Sequence, residues 1–378
     1  MKLQFAIHAI TDCTIKYGGT IEYSIDNGKS WRVLGKLFLP EGHEAQFRNA
    51  KSNGYKSFII EGYFNVYGHI STLAPYGTNA FSWLFYQTNV VNANKLILDF
   101  DELWPKAYYY MFSHCTSLIT APELPVDTLA QYCYEGMFEN CSSLTKAPDL
   151  PATTLAESCY SYMFQSCSSI KSAPRLPATT MAQKCYRGMF YACTSLVSAP
   201  ELPATELDDN CYACMFYQCT SLTTSPELPA TTLAEYCYFH MFNGCTSLTT
   251  APELPATTLA QSCYYRMFSG CTSLATAPEL PATTLAQSCY AYMFYQCTSL
   301  TTAPELPATT LADCCYYHMF EACTSLTTAP MLLAIKTKDN SYYCMFQGCK
   351  SLKKRPVMPK NTYIEALNMC FIPIELVK

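Results

Sequence analysis

Charge is scarce in this chain. Of 378 residues only 24 are Lys or Arg and 29 are Asp or Glu, and a net charge of −5 leaves no basic face for a nucleic acid. Long apolar runs are missing too. Half the residues are hydrophobic, yet no run approaches the roughly 18 residues that cross a bilayer, so membrane insertion is not expected. Histidine is the third shortage: His8, His43, His69, His114, His240 and His318 are scattered, and no G-x-S-x-G, H-E-x-x-H or phosphate-cradling loop occurs. No catalytic residue, metal set or cofactor is therefore expected, and an enzyme ranks last among the function classes. The start, from Met1 to Ile10, is interrupted by Gln4 and His8 and has no small-residue cleavage site. A surface protein would then either have had its signal removed or leave the cell by another route, for example as part of a phage particle.

What the chain does contain is one stretch repeated with little change. From Cys245 to Gly270 it reads CTSLTTAPELPATTLAQSCYYRMFSG, and Cys271 begins the next copy. Its Met-Phe pair recurs from Met111 to Met345, always 26 residues apart, the mark of a solenoid whose units stack and cannot fold alone. Within each unit the pattern L-A-x-x-C-Y-x-x-M-F-x-x-C is read as one apolar face of a short amphipathic helix. Thr258 with Gln261, and Thr232 with Glu235, supply a capping box for its start. Pro278 and Pro281 keep the helix from running on, and Leu274 to Leu280 is expected as a short parallel strand stacked at about 4.8 Å on its neighbours. The fold expected is an α/β repeat solenoid, leucine-rich-repeat-like, with 26-residue units of short strand plus short helix.

The string M-F-x-x-C-x-S-L, followed by a short extended piece and L-P, resembles the BspA-like leucine-rich repeats of bacterial surface proteins from about Phe81 to Leu367. That resemblance implies a right-handed leucine-rich-repeat-type solenoid used for adhesion or recognition, without enzymatic activity. The A-P-E-L-P-A-T-T segment departs from the family by its richness in proline.

Eighteen of the 23 cysteines fall at two repeat positions, one opening with Cys133, Cys159 and Cys185, the other with Cys115, Cys141 and Cys167. Lying eight apart within a unit, with no histidine at a repeating position, they do not match zinc-ligand spacing. Buried free thiols are the favoured reading and fit a reducing or anaerobic setting, with disulfides and metal as alternatives. Cys13, Cys214, Cys314, Cys344 and Cys370 lie off the two ladders, and Cys214, Cys314 and Cys344 sit at outward positions where a thiol could be reactive.

Residues 1–67 read as a small all-β sandwich, immunoglobulin-like in size. Its expected strands run from Cys13 to Tyr17, Thr20 to Ile25, Trp31 to Leu34 and Ser57 to Tyr67, separated by Gly18-Gly19, Asp26-Asn27-Gly28 and Pro40-Glu41-Gly42 turns. The stretch from Ser24 to Trp31 resembles the Asp-box hairpin of sialidases, a structural motif; one copy without an Arg cluster is no case for a glycosidase. Residues 68–110 are expected to form a cap with a degenerate first coil in which Leu84-Phe85 stands for Met-Phe. Residues 111–349 are then the solenoid and 350–378 the C-terminal cap, where Lys350, Lys353, Lys354 and Arg355 make a basic patch read as solvated.

Two features run along the array. Glu123, Asp149, Glu201, Glu227, Glu253, Glu279 and Glu305 form an acidic ladder broken by Arg175, read as solvated surface, with calcium as the alternative. The other is the outward pair before Met-Phe, which varies from unit to unit while the core hardly changes. Tyr217, Phe239, His240, Tyr265, Arg266, Tyr292, Tyr295, Tyr317 and His318 are the candidate binding residues, because rigid amphipathic aromatics suit a recognition surface. Drift at exposed positions is the plain alternative. The favoured function is a non-catalytic binding protein on a bacterial surface or a phage particle, with a cell-surface glycan or protein as partner. Its rival is a structural spacer whose aromatic face packs on sister chains as a homo-oligomer.

Overall fold

In a computed structural model, the structure describes residues 2–51, 57–73, 77–359 and 370. The chain divides into two compact units, Met1–Pro177 and Ala178–Lys378.

The first unit begins with nine strands. They are β1 (Ala6–Ala9), β2 (Cys13–Tyr17), β3 (Thr20–Ser24), β4 (Arg32–Val33), β5 (Leu37–Leu39), β6 (Glu44–Lys51), β7 (Phe58–Glu61), β8 (Phe64–His69) and β9 (Val90–Ile97). One sheet has the order β4-β3-β6-β1-β8-β9 and the other β5-β2-β7. Alternation explains both: β2 buries Cys13 and Ile15, and β8 buries Phe64, Val66 and Gly68. Phe58 of the smaller sheet packs against Phe5, just before β1, and Phe47 of the larger sheet at ring distances of 5.9 and 5.4 Å, so the two sheets share an aromatic interior. Strands β2, β3 and β4 lie where the turn signals place them. The segment from Ser57 to Tyr67 breaks in two at Gly62, whose φ of 99° and closeness to the Asp12 carbonyl leave no room for a side chain. β1, within the stretch read as a failed leader, is a central strand of the larger sheet.

The helix expected in every repeat is not formed. Among the described residues there is no α-helix, and a single 3-10 turn lies at Ile70–Leu73. In residues 131–140 alternate amides take different partners. Cys133, Glu135, Met137 and Glu139 donate three residues back within the coil, at 3.0 to 3.3 Å. Tyr132, Tyr134, Gly136, Phe138 and Asn140 donate to carbonyls of the next coil, at 2.7 to 3.0 Å. Every fourth residue is left-handed: Tyr236, His240 and Gly244 have φ of 56°, 56° and 76°. The apolar pairs repeat strictly by four, and four residues of α-helix rotate about 400°, so such pairs slide about 40° per step around a helix. A coil of four-residue turns keeps them aligned, and its free amides bond to the neighbouring coil.

The expected strand Leu274 to Leu280 is also reduced. Its coil makes a parallel bridge at Thr276 with Thr302, which bridges Thr328 in turn. Pro278 and Pro281 withhold the donors that a longer ladder needs. The repeating unit is thus a coil of turns and single bridges, which corrects the short strand plus short helix.

Packing columns fill each coil. In the first unit Phe85, Phe112, Phe138 and Phe164 stack at 5.2 to 5.7 Å, and Phe58 lies flat on Phe85 at 5.7 Å, joining sheet core to coil core. β9 pairs in parallel with β8 and passes the pattern on through a bridge from Asn92 to Thr120. In the second unit Phe190 to Phe346 stack at 5.5 to 5.8 Å and Tyr186 to Tyr342 at 5.7 to 5.9 Å, with the rings within 11° of parallel. Much of the tyrosine excess is therefore core.

All 23 cysteines are free. The thiols of Cys219, Cys245, Cys271, Cys297 and Cys323 donate to the Phe carbonyl of the preceding coil at 3.0 to 3.1 Å, which explains a cysteine where any small apolar residue would fit. Burial pushes the Cys115 thiol up to about 12. Cys344, expected to face outward, is buried, and burial raises Cys214 to about 11, so neither is an activated nucleophile. At the C-terminal end Phe346 donates to the Cys370 carbonyl at 3.1 Å, as Phe320 donates to Met345. Most of the expected cap from 350 to 378 lies outside the described residues. No described helix is long and apolar enough to cross a membrane.

Two expectations follow. Thiol titration of the native protein registers at most the half-buried Cys214, Cys314 and Cys349, and unfolding exposes all 23; rapid reaction of most thiols before unfolding contradicts the packing. The hydroxyl of Tyr134 is buried and has no hydrogen-bond partner. Tyr134→Phe should therefore raise unfolding stability by about 1 kcal/mol in urea titration, whereas a loss would mean that the hydroxyl is satisfied.

Candidate functional site

The turn geometry decides which side chains face outward beside the Met-Phe core. In each coil of the second unit the residue two before Met, the left-handed residue just before it and the residue after Phe stand at three neighbouring positions. All nine candidates fall on these, and all are half-buried. Their environment is other aromatic rings.

Rings touch from coil to coil along the second unit. Tyr191 stacks on Tyr217 at 4.6 Å, and Tyr217 lies 5.9 Å from His240. Phe239 stacks on Tyr265 at 5.2 Å, Tyr265 meets Tyr292 edge-on at 5.8 Å, and Tyr292 meets Tyr317 at 5.4 Å and His318 at 4.8 Å. Tyr295 is 5.7 Å from Tyr292, and Tyr317 continues to Tyr343 at 5.3 Å. The fold thus gathers the eight ring-bearing candidates into one continuous aromatic track, lays Arg266 over Tyr292, and adds Tyr191 and Tyr343. Ala291 is buried between Tyr265 and Tyr317 in the same column, so Tyr292 has room to lean across to both.

Charge is sparse on this track. The Arg266 guanidinium lies 4.2 Å over Tyr292 and 5.8 Å from both Tyr265 and Tyr295, and no described carboxylate pairs with it. His318 is paired with Glu321. Asn243 donates to Nδ1 of His240 at 2.9 Å; burial, then the nearby Arg266, lowers that imidazole from 6.5 to about 4. His240 is therefore neutral at pH 7.

A second aromatic cluster lies in the first unit, in coils assigned from sequence to the cap. Trp83 stacks on Tyr110 at 4.6 Å and meets Tyr86 and Tyr109 edge-on at 4.8 and 5.7 Å. The Tyr110 ring covers Gly136, where a Cβ would fall 2.3 Å from it. The signal was in the register: Tyr109-Tyr110 precedes Met111 as Tyr265-Arg266 precedes Met267, and Trp83 precedes Leu84-Phe85 in the same way.

The remaining candidates show no chemistry. The carboxylates of the acidic ladder are exposed, one per coil. Their A-P-E-L-P segments border shallow grooves of about 470 Å³ in the first unit and about 460 and 590 Å³ in the second. Among the described residues no three His, Cys, Asp or Glu stand as metal ligands. Ser71 and His69 both bond Asp99, at 2.6 and 3.0 Å. In that arrangement the serine is tied to the carboxylate and not to the imidazole, so it is not activated as a nucleophile.

A family model described as BspA type leucine rich repeat region (6 copies) matches residues 85–223, 206–353 and 281–372. No curated protein and no solved structure matches.

Burying a neutral imidazole makes stability depend on pH. Between pH 6.5 and 4 the unfolded chain binds a proton at His240 that the folded chain does not, so stability falls as pH drops through that window. His240→Gln should flatten this part of the urea midpoint against pH profile; an unchanged slope would show that His240 is protonated when folded.

Proposed function

This chain belongs to the BspA-type leucine-rich-repeat family, and we propose that it is a non-catalytic adhesion or recognition protein whose aromatic track engages a glycan or protein at a cell surface. One observation carries this reading: large rings from successive coils line one surface while the core beneath them repeats almost unchanged. Free drift at exposed positions would not keep rings in contact over so many coils. Family membership fits a surface-associated or extracellular setting, on a bacterium or a phage particle. Residues 1–67 are read as the attachment module, an immunoglobulin-like sandwich carrying an Asp-box-like hairpin. In that hairpin the Asp26 carboxylate accepts the Ser30 amide at 2.9 Å, and Trp31 Nε1 donates to Gly28.

The test is the triple change Tyr265→Ser, Tyr292→Ser and Tyr317→Ser. The buried Phe and Tyr columns are untouched, so the fold should persist, and binding to whole cells or to a glycan array should fall at least tenfold, since packed aromatics contribute about 1 to 2 kcal/mol each. Unchanged binding removes the track from recognition. A change of oligomer size in gel filtration with no effect on cell binding would instead identify the track as a contact between copies.

A further inference from the structure

We propose that the ligand of this track is an extended polysaccharide bearing carboxylate groups, laid along the coils with one acidic sugar fixed by Arg266. The proposal rests on the recognition reading above and narrows it to a chemical class.

Three observations select the class. The first concerns the backbone. Along the track the amides of His240, Arg266, Tyr292 and His318 donate to the carbonyls of Tyr265, Ala291, Tyr317 and Tyr343 at 2.7 to 2.9 Å, and the amides between them bond three residues back. A peptide that adds itself as a strand needs unpaired main-chain groups, and this surface has already paired them. Recognition therefore falls to side chains.

The second is spacing. From Phe239 to Tyr343 successive rings lie 5.2 to 5.8 Å apart, set by coils of fixed size. Phe239 stacks on Tyr265 and Tyr317 on Tyr343, so the row offers a ligand ring edges and phenol hydroxyls at a regular short spacing. A pyranose chain matches it, with a short repeat whose C–H groups meet ring edges and whose hydroxyls pair with the phenols.

The third is charge. At the three outward positions of the second unit's coils the permanent cations are Arg187, in the coil of Tyr191, and Arg266, in the middle of the row, and Glu321, paired with His318, is the one anion. His240 is neutral at pH 7 and adds no charge beside Arg266. Arg266 rests against Tyr292 at 4.2 Å without a carboxylate partner. A guanidinium held in this way is a pre-set fork for a carboxylate, and an acidic sugar laid along the ring edges beside it would bring that carboxylate to it.

Polygalacturonate and hyaluronate serve as acidic probes, neutral galactan as the uncharged one and poly-L-glutamate as the peptide one, all assayed by affinity electrophoresis and calorimetry at two ionic strengths. At least one acidic polysaccharide should bind the full chain, weaken at the higher ionic strength, and bind at least tenfold more tightly than galactan or polyglutamate. Arg266→Gln should lose at least tenfold on that polymer, with Arg266→Lys, which keeps the charge without the planar fork, in between. Binding of neither acidic polysaccharide, equal binding of galactan, equal binding of polyglutamate, or an Arg266→Gln protein that is folded by circular dichroism and binds as before would each overturn the proposal. The salt dependence of the wild-type chain decides the electrostatic part even if a variant fails to fold. If these arms fail while the triple tyrosine change still abolishes cell binding, the recognition reading stands and only the acidic-glycan class falls.

Discussion

In the Met-Phe segment every second amide bonds to the next coil, and most features of the array depend on that pairing. A coil whose amides alternate between an inward partner and a neighbouring coil must return its backbone to the same orientation every two residues and turn a corner every four. The corner is the left-handed residue. Tyr132, Gly136 and Asn140 take it in one coil and Ser262, Arg266 and Gly270 in another. Side chains of successive coils are thereby held in register, so identical residues stack on identical residues and the interior becomes columns of Phe, Tyr, Met and Cys.

Column packing explains a composition that is otherwise puzzling. A column needs one side chain that fits against copies of itself at a fixed separation. Flat rings at 5.5 to 5.9 Å meet that condition in the second unit, and the tyrosines there give up hydration of the hydroxyl to do so. Cysteine meets a different one. It is small enough for the corner between the Met-Phe turn and the extended piece, and its thiol reaches back to a Phe carbonyl that alanine would leave with one fewer donor. The same burial that makes these thiols good packing makes them poor nucleophiles, which separates abundance of cysteine from redox chemistry.

How much of this was legible depended on period. The 26-residue repeat, the buried Cys and Met-Phe positions and the outward candidates followed from counting. The helix did not, because pairs at L-A, C-Y and M-F satisfy a helical template over one or two turns and fail it only when the strict spacing of four is carried through. Residues such as Tyr and Arg rarely take positive φ, so nothing at Tyr236 or Arg266 announced a corner. Strand β6, Glu44–Lys51, escaped because charged and amide side chains interrupt its alternation; it lies between β3 and β1, and those neighbours, not its own pattern, hold it there. The Trp83 and Tyr110 cluster escaped for another reason: terminal coils were read as caps, although their outward pairs obey the register of the rest.

The left-handed corners also bear on whether the outer face has drifted. No Thr, Val or Ile occupies a corner in any described coil, although threonine is abundant elsewhere in the repeat, as expected where β-branched side chains clash at positive φ. The backbone thus filters what can vary. The residue it accepts at least cost is glycine, with Asn next, and drift under that filter alone should drift toward them. The corner before Met goes the other way: Gly188 is followed by Cys214, His240, Arg266, Tyr292, His318 and Cys344. Each large residue there holds a conformation costing on the order of 1 kcal/mol relative to glycine, repeated coil after coil. A strained position occupied by His, Arg and Tyr is offset by what those side chains touch. In the second unit that includes the ring next door, as where Tyr292 stacks on His318 and His240 lies against Tyr265.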